Sequence, residues 1–304
     1  MKKYMKNRLL ALFIGLVLLS GCESRKDTIH IATKPMSEQF ILGEMLALLI
    51  EENSDLHVKI TKGVGGGTSN IHPAMVKGDF DLYPEYTGTG WLVILKKDSL
   101  LPPDQLFSEL QKEYSREYGL KWVDPYGFNN AYSLAVSNEM AKKYNLKTFS
   151  DLALYPDLFT FGAEYDFYEI NDGYADLCAY YNLKFKKNLD MDIGLKYEAM
   201  KSGKIDVINI FTTDGQLSHA NLTTLKDDKH FFPSYYCATI VREETLKEHP
   251  ELEGILEKMN GILTDQEMAD MNYKVDVEHR TEREVAVEFL KKKGLLNPQL
   301  SYGK

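Results

Sequence analysis

Short segments in which apolar and polar residues alternate are separated along this chain by longer segments with helical spacing. Thr28–Ala32 alternates and predicts a first strand, and a helical pattern begins near Ser37. The alternation predicts further strands over 57–60, 80–83, 160–162 and 205–208. The tail over 251–296 keeps helical spacing. Strands that alternate with helices of this length favour parallel βαβ units and an α/β fold.

Two segments of the chain resemble each other. Residues 74–90 read AMVKGDFDLYPEYTGTG and residues 199–215 read AMKSGKIDVINIFTTDG, so that Tyr86 aligns with Phe211. Each segment contains a helix end, a turn at glycine, a short strand, and an aromatic residue followed by threonine. Ligands of open α/β sheets bind outside the carboxyl ends of the strands. The echo therefore predicts two similar lobes that face each other across a cleft, with an aromatic ring on each wall.

In the segment 74–90 we expect different roles for the proline, the glycines and the two tyrosines. We expect Pro84 and the glycines to turn the chain at the strand end so that Tyr86 faces the cleft. Tyr83 aligns with Ile208 and is expected to pack inside the lobe.

The amino-terminal residues have the pattern of a secretory signal peptide. Four cationic residues precede an apolar run over 9–19, which is shorter than the ~20 apolar residues that a membrane-spanning helix needs. The run ends in LSGC, the pattern of a bacterial lipobox. We expect residues 1–21 to be removed, Cys22 to carry lipid, and residues 22–27 to form a tether; an ordinary signal peptide with a chance cysteine is the alternative.

Net charge narrows the range of partners. Removing residues 1–21 takes away four positive charges and no negative ones, which moves the formal net charge from -9 to -13. An acidic surface argues against a nucleic-acid partner and is compatible with a cationic small ligand. Cys178 and Cys237 remain, either as a disulfide outside the cytoplasm or as two free thiols.

Motifs for catalysis, metals and nucleotides are missing from the sequence. The glycine loop over 63–68 lacks the Gly-Lys-Ser/Thr of a P-loop and has Thr68 where a dinucleotide motif ends in glycine. The histidines and cysteines form no His-x-x-x-His or Cys-x-x-Cys pair, and there is no Gly-x-Ser-x-Gly elbow. We therefore expect no cofactor, no metal site and no enzymatic activity. Aromatic rings remain as candidate chemistry, because their faces attract cations when water is excluded.

Several motifs occur in one order and carry a resemblance to a known family. They are the lipobox, IATKPMSEQFILGEM, DLYPEYTGTG, FNNAYSLAV, DMDIGLKYEAM, FTTDGQL and DDKHFFPSYY. Over essentially all of residues 28–296 the chain closely resembles the substrate-binding proteins of ABC importers for glycine betaine, choline, carnitine and related compounds. The resemblance implies a two-lobed, periplasmic-binding-protein-like α/β fold of type II, with central mixed sheets, two crossovers and the ligand in the interlobe cleft.

The same resemblance implies boundaries and partners. It places lobe 1 at 28–129 plus 238–304 and lobe 2 at 130–237. It also implies an ABC permease and an ATPase as partners, an extracytoplasmic location, and contact with the membrane through the lipid anchor.

The resemblance further implies the ligand-binding residues, which include rings from both lobes and a lysine able to meet a ligand carboxylate. The matching positions are Lys34, Tyr86, Thr89, Asn130, Tyr132, Phe211 and Tyr235. Ile170 stands where many betaine binders carry an arginine that pairs with a carboxylate through two bonds. DLYPEYTGTGW together with FTTDGQL also resembles binding proteins associated with ergothioneine. The implied ligand is a trimethylammonium compound, with glycine betaine, choline, carnitine and ergothioneine left open.

Two other classes stay open at this point. An amino-acid-type solute-binding protein of the same architecture would need a carboxylate for the α-ammonium group, for which Asp81, Asp206 or Asp214 are candidates. A two-lobed α/β enzyme, similar to a porphobilinogen deaminase, is the second alternative.

Overall fold

The computed structural model describes residues 27–97, 101–169, 173–191, 193–299 and 301–302. The predicted lipidation site Cys22 lies outside these residues. So does Ile170, which stands where many betaine binders carry an arginine. Within the described residues, no helix is both long enough and apolar enough to cross a membrane.

The strands form two sheets of five strands each. They are β1 (Thr28–Ala32), β2 (His57–Thr61), β3 (Leu82–Tyr86), β4 (Leu120–Trp122), β5 (Tyr132–Ser137), β6 (Thr160–Ala163), β7 (Lys187–Asp190), β8 (Val207–Phe211), β9 (Leu222–Leu225) and β10 (Cys237–Arg242).

Helices cover the faces of both sheets. The α-helices are α1 (Ser37–Asn53), α2 (Thr68–Lys77), α3 (Pro103–Tyr118), α4 (Asn138–Tyr144), α5 (Phe149–Leu152), α6 (Tyr165–Glu169), α7 (Tyr174–Tyr181), α8 (Ile193–Lys201), α9 (Glu243–Glu248), α10 (Glu251–Leu256), α11 (Asp265–Asp276) and α12 (Glu282–Lys292). Shorter helical segments are the turn Thr87–Thr89, the π-helical Gly90–Ile94, and the 3-10 helices Gly215–His219 and Glu257–Met259.

The two sheets share one arrangement. The first has the order β2-β1-β3-β10-β4, in which β1 is parallel to β2 and β3, while β10 is antiparallel to β3 and β4. The second has the order β7-β6-β8-β5-β9, in which β6 is parallel to β7 and β8, while β5 is antiparallel to β8 and β9. Each sheet with its helices forms one lobe, which confirms the predicted two-lobed α/β fold with mixed sheets.

Helix α1 is the central helix of lobe 1. The predicted apolar face, with Ile41, Met45 and Leu49, is fully buried. The opposite side of α1 is also buried, because the carboxy-terminal helices α10, α11 and α12 pack against it. Full burial of each such side chain contributes about 1.5–3 kcal/mol to the free energy of unfolding.

The two similar sequence segments, 74–90 and 199–215, form a structural repeat. Helix α2 ends at Gly78 and α8 is followed by Gly203, both with positive φ (83° and 70°). Immediately before each following strand, an aspartate anchors that strand to its parallel neighbour. Asp81 Oδ2 accepts a hydrogen bond from a backbone N–H of β1, and Asp206 Oδ2 accepts one from β6, each over 2.8 Å.

The two strands of this repeat lie further along the chain than the alternation predicted. Strands were predicted over 80–83 and 205–208, whereas β3 and β8 begin at Leu82 and Val207. The physical reason is the anchoring aspartate, whose side chain binds backbone and ends the turn before the strand starts. As a result, Tyr86 is the last residue of β3 and does not lie in a loop beyond it.

The expected role of Pro84 as a turn residue is wrong. Pro84 lies inside β3, opposite Thr239 of β10. Proline has no backbone N–H to donate to a neighbouring strand. Because β3 pairs with β1 only at Leu82, no hydrogen bond between these two strands is lost at Pro84. Tyr83 is fully buried, as expected for a packing residue.

Two crossovers connect the lobes, one between β4 and β5 and the other between β9 and β10. They run side by side: Asn129 forms an antiparallel bridge with Tyr236, and its Oδ1 accepts the Tyr235 N–H over 2.6 Å. The predicted pair of crossovers is thereby confirmed. The residue boundaries of the lobes, 28–129 plus 238–304 and 130–237, stay a prediction.

A further interlobe contact lies next to the crossovers. Gly215 of lobe 2 lies so close to α11 of lobe 1 that a Cβ atom at this position would be 2.7 Å from the Tyr273 backbone nitrogen. The His219 ring stacks on the Tyr273 ring with centroids 3.8 Å apart. Lobe 2 is therefore held against α11 on this side of the cleft.

Both cysteines outside the signal region are free thiols. Cys178 lies on α7 in lobe 2, and Cys237 is buried at the start of β10 in lobe 1. The disulfide that the sequence left open is not formed.

Candidate ligand-binding site

The predicted site residues lie at the edge of each sheet that holds the carboxyl ends of its parallel strands. In lobe 1, Lys34 follows β1 and Tyr86 ends β3, and Tyr235 reaches the same edge because it precedes the antiparallel β10. In lobe 2, Phe211 ends β8 and Tyr132 begins the antiparallel β5. This edge is where open α/β sheets bind ligands.

The Tyr86 ring is fixed in place by two charged groups. It is 6% exposed, and its hydroxyl donates a hydrogen bond to Oε1 of Glu38, in the first turn of α1, over 2.5 Å. The Lys34 ammonium lies over one face of the ring, 4.7 Å from the centroid. Burial, together with the nearby Glu38 charge, raises the pKa of the Tyr86 hydroxyl well above its usual range, so the hydroxyl stays a donor.

Lys34 is engaged inside lobe 1. Its ammonium forms an ion pair with Glu85, which is fully buried. The second oxygen of Glu85 accepts the Thr68 hydroxyl over 2.6 Å, and Thr68 begins α2 directly after the glycine loop. The loop thus turns the chain from β2 into α2 and places this hydroxyl on the carboxylate. The predicted role of Lys34 toward a ligand carboxylate stays a prediction, and Glu85 would compete with that carboxylate.

Thr89 and Tyr235 lie around the turn that follows β3. Thr89 is half-buried and ends the helical turn. The Tyr235 ring lies against Gly88, where a Cβ atom would be 2.6 Å from the ring carbon Cε1. Glycine at this position therefore lets the Tyr235 ring approach the turn.

The lobe 2 wall is an aromatic pair on adjacent strands. Tyr132 and Phe211 occupy paired positions of β5 and β8, and their rings stack with centroids 4.4 Å apart. Phe211 is 38% exposed. Behind the pair, Phe167 and Phe232 contact the Tyr132 ring at 5.3 Å and 5.7 Å.

Asn130 lies on the first crossover and links the walls. Its Nδ2 donates to Oε1 of Glu38 over 3.0 Å, and its backbone N–H donates to the Tyr235 carbonyl over 3.2 Å. On the lobe 2 side, the Thr212 hydroxyl binds the backbone of the same crossover. A residue at the hinge therefore contacts the hydrogen-bond network of the Tyr86 hydroxyl.

Two cavities open between the lobes among the described residues. One, of about 190 Å³, is lined by Glu38, Asn130, Phe211 and Asn272, among others. The other, of about 970 Å³, runs between the turn after β3 and the Tyr132 wall. Of the predicted residues, Asn130 and Phe211 line the smaller cavity and Tyr132 lines the larger one. The other four, Lys34, Tyr86, Thr89 and Tyr235, line neither of these two cavities.

The sequence interpretation missed two polar residues of this region. Glu38 is 3% exposed, and its neighbour Gln39 is fully buried with an Nε2 atom that has no hydrogen-bond partner. A glutamate and a glutamine in the first turn of a helix that is otherwise apolar were the available signal, because buried polar groups require partners.

A second ion pair was also missed, in lobe 2. The Lys196 ammonium, 1% exposed, pairs with Glu164 at the carboxyl end of β6. The other Glu164 oxygen accepts the Asn209 amide over 2.6 Å. Among the described residues, each lobe thus has a lysine–glutamate pair near its strand ends, buried in lobe 1 and partly buried in lobe 2.

The aspartates considered for an α-ammonium ligand have other partners. Asp81 and Asp206 bind backbone at the opposite, amino-terminal edge of their strands. Asp214 accepts the Tyr197 hydroxyl over 2.5 Å and the Gln216 N–H over 3.0 Å. In the part of the chain described, no group of three or more His, Cys, Asp or Glu side chains is placed to hold a metal ion.

Comparison with known proteins identifies the family. The family model described as the substrate binding domain of ABC-type glycine betaine transport systems matches residues 27–292. The chain belongs to this family. Members are the substrate-binding part of an importer, so this binding protein is a transport protein and not an enzyme, as the sequence predicted.

Individual relatives are similar over most of the binding protein. It is 45% identical over 292 residues, 94% of its length, to the ergothioneine transport permease/ergothioneine binding protein EgtU of Helicobacter pylori, and it spans 52% of that relative. It is 36% identical to the carnitine transport binding protein OpuCC of Listeria monocytogenes, covering 95% of this chain and 97% of the relative. The crystal structure of a glycine betaine/carnitine/choline ABC transporter superimposes with a TM-score of 0.84 at 32% identity, covering 88% of this chain and 99% of that one.

Proposed function

We propose that this binding protein captures a trimethylammonium zwitterion between its lobes, and that ergothioneine is the ligand best supported. The observation that supports the proposal is the stacked Tyr132–Phe211 pair of lobe 2, whose members line the two interlobe cavities, while Tyr86 and Tyr235 lie at the strand-end edge of the lobe 1 sheet. A quaternary ammonium group cannot donate a hydrogen bond, and aromatic faces attract it electrostatically.

Three features favour ergothioneine within this class. The relative that carries ergothioneine in its name is 45% identical, against 36% for the carnitine relative. The sequence has no arginine between Arg116 and Arg242, so lobe 2 offers no guanidinium for a two-bond clamp on a betaine carboxylate. The stacked Tyr132–Phe211 pair, with Phe211 38% exposed, offers a flat surface for the imidazole-derived ring.

The carboxylate of the ligand would use neutral donors in this account. Gln39 Nε2 is buried at the start of α1 without a hydrogen-bond partner among the described residues, and the amino end of a helix favours negative charge. Lys34 is the cationic alternative, and it would have to leave its ion pair with Glu85.

Delivery would follow closure of the two lobes. A binding protein of this kind closes by rotation about its crossovers, and differential affinity for the closed state drives that closure. The partners we propose are a membrane permease and its ATPase. Cys22 is proposed to carry the lipid that retains the protein at the outer face of the membrane, with residues 22–27 as the tether.

Isothermal titration calorimetry with ergothioneine, glycine betaine, choline and carnitine tests the ligand class. Ergothioneine should bind most tightly, and Tyr86→Ala should weaken every trimethylammonium ligand. Tyr180→Ala, which removes a ring 53% exposed on α7, is the matched control and should leave the affinity for each ligand unchanged. Binding of all four compounds weaker than millimolar, or competition by free amino acids instead, would overturn the proposal.

The anchor has its own test. Cys22→Ala in the full-length chain should move the protein from the membrane fraction to the released fraction, without changing ligand affinity. Retention of Cys22→Ala in the membrane fraction would contradict lipid attachment at this residue.

A further inference from the structure

Glu38 is a buried carboxyl group with several side-chain hydrogen-bond partners. Its Oε1 accepts the Tyr86 hydroxyl over 2.5 Å and Asn130 Nδ2 over 3.0 Å, and its Oε2 accepts Asn272 Nδ2 over 3.3 Å. Each oxygen accepts an amide N–H, Oε1 from Asn130 and Oε2 from Asn272, and donors of this kind favour the ionised carboxylate.

This carboxylate has no cationic partner within the described residues. Two other carboxylates near the strand ends, the buried Glu85 and the partly buried Glu164, each pair with a lysine, whereas Glu38 forms no ion pair in the described parts of the chain. A buried charge without a counter-charge is costly. A protein that keeps such a charge beside a ligand cleft has a functional use for it.

The position of Glu38 connects that charge to the aromatic walls. A hydrogen bond from a phenol to an anion shifts electron density into the ring, which strengthens the attraction of the ring for a cation. Glu38 also lines the 190 Å³ interlobe cavity together with Phe211, so the charge lies next to both walls. In this low-dielectric region a charge acts over a longer range than it does in water.

We propose that the Glu38 carboxylate is the fixed counter-charge of the site, which makes it select a cationic ligand over a neutral one of the same shape. Glu38 is a positioning residue that acts through Tyr86 and through the field in the cleft. The inference rests on the proposed function, since it names the group that recognises the charge of the trimethylammonium ligand.

The decisive probes are choline and 3,3-dimethylbutan-1-ol, in which carbon replaces the quaternary nitrogen. Wild-type protein should prefer choline, and Glu38→Gln should reduce choline affinity by about tenfold or more. The affinity for the neutral alcohol should change by less than about twofold. A merely structural role of Glu38 would weaken both ligands equally.

The matched control is Glu51→Gln, on the same helix and with the same change in net charge. Glu51 is an exposed partner of Arg283 and lies outside the cleft. This variant should keep the wild-type ratio of the two affinities. If Glu38→Gln does not fold, Tyr86→Phe replaces it, because it keeps the ring and removes the link to the carboxylate; it too should lower the ratio.

The outcomes separate the two proposals. Failure of ergothioneine, glycine betaine, carnitine and choline to bind wild-type protein would overturn the proposed function and this inference together. Two outcomes would overturn the Glu38 inference alone, with the trimethylammonium compounds still binding. In one, Glu38→Gln keeps the wild-type preference for choline over 3,3-dimethylbutan-1-ol. In the other, the wild-type protein shows no such preference.

Discussion

The Tyr132 and Phe211 rings stack across paired positions of β5 and β8, with centroids 4.4 Å apart and planes inclined by 30°. Tyr132 is supported from behind by Phe167 and Phe232, whereas Phe211 is 38% exposed. The inner ring is therefore fixed by the lobe 2 core, and it fixes the outer ring in turn. The outer ring is the one available to a ligand.

Phe211→Ala should impair binding more than folding. Loss of one desolvated cation–π contact costs about 2 kcal/mol, roughly 30-fold in Kd. The free energy of unfolding should fall by no more than about 1.5 kcal/mol, because the ring is partly exposed and its loss removes one aromatic pair. Calorimetric titration with ergothioneine and urea denaturation measure the two effects.

The comparison for that variant is Phe211→Tyr. It keeps the ring and restores the hydroxyl that many family members are expected to carry, so affinity should stay within about threefold of wild type. A large loss in Phe211→Tyr with full retention in Phe211→Ala would show that the ring is not the relevant feature.

Gly88→Ala should weaken ligand binding by displacing the Tyr235 ring. The added Cβ would lie 2.6 Å from that ring, and overpacking of this kind costs about 1–3 kcal/mol of stability. Gly254→Ala is the matched control, because this glycine lies within α10 with open space around its Cβ position. It should stabilise the protein by about 0.5–1 kcal/mol and leave affinity unchanged. Equal effects of the two substitutions on affinity would contradict the packing of Tyr235 on Gly88.

Glu85→Gln should destabilise lobe 1 strongly. It leaves the Lys34 ammonium buried without its counter-charge, which costs about 3–5 kcal/mol in comparable buried pairs. Adding Lys34→Met to Glu85→Gln should recover part of that loss, because no unpaired charge remains. Urea denaturation of the two single variants and the double variant gives the coupling energy, and strict additivity would contradict a buried pair.

An exposed ion pair provides the reference for that experiment. Glu109 and Lys112 are three residues apart on α3, with the Lys112 side chain 66% exposed and the Glu109 side chain 35% exposed. Glu109→Gln should change the free energy of unfolding by less than about 0.5 kcal/mol.

Protonation of Glu38 should increase the free energy of unfolding and decrease the affinity for the ligand. Burial raises the pKa of the Glu38 carboxyl, and hydrogen bonds from Tyr86, Asn130 and Asn272 only partly oppose it. The folded chain therefore binds this proton at a higher pH than the unfolded chain does. As the pH falls from neutral through that raised pKa, the contribution of Glu38 to the free energy of unfolding increases.

Binding should weaken over the same range, because protonation removes the negative charge of the site. Choline suits this measurement, since its quaternary nitrogen does not titrate. Its affinity should fall from pH 7 toward pH 5 in wild type and should vary less in Glu38→Gln. Equal slopes would show that the pH dependence of choline affinity does not come from Glu38.

The sequence specified the architecture well because the alternation and the 74–90 and 199–215 echo both follow from backbone periodicity. The strand positions were wrong by two residues at β3 and β8, since the anchoring role of Asp81 and Asp206 depends on neighbouring strands that are distant in sequence. Pro84 looked like a turn residue for the same reason, because only the register with β10 shows that a strand can contain it.

The sequence pointed to aromatic residues and to Lys34 as candidate site residues, and it did not point to Glu38, Glu85 or the Lys196–Glu164 pair. Aromatic residues at strand ends are visible in a motif such as DLYPEYTGTG. The hydrogen-bond network around Tyr86 joins Glu38 to Asn130 and Asn272. These two asparagines lie 92 and 234 residues after Glu38 in the chain. Contacts of that sequence separation leave no local pattern, so the sequence could not assign a function to Glu38.

A crystal structure of the binding protein with ergothioneine tests the central claim most directly. The account predicts the trimethylammonium nitrogen within about 6 Å of ring centroids from both lobes, with Tyr86 on one side and Phe211 on the other. Ligand bound with its ammonium group on a carboxylate and away from these rings, or bound outside the interlobe cleft, would contradict it.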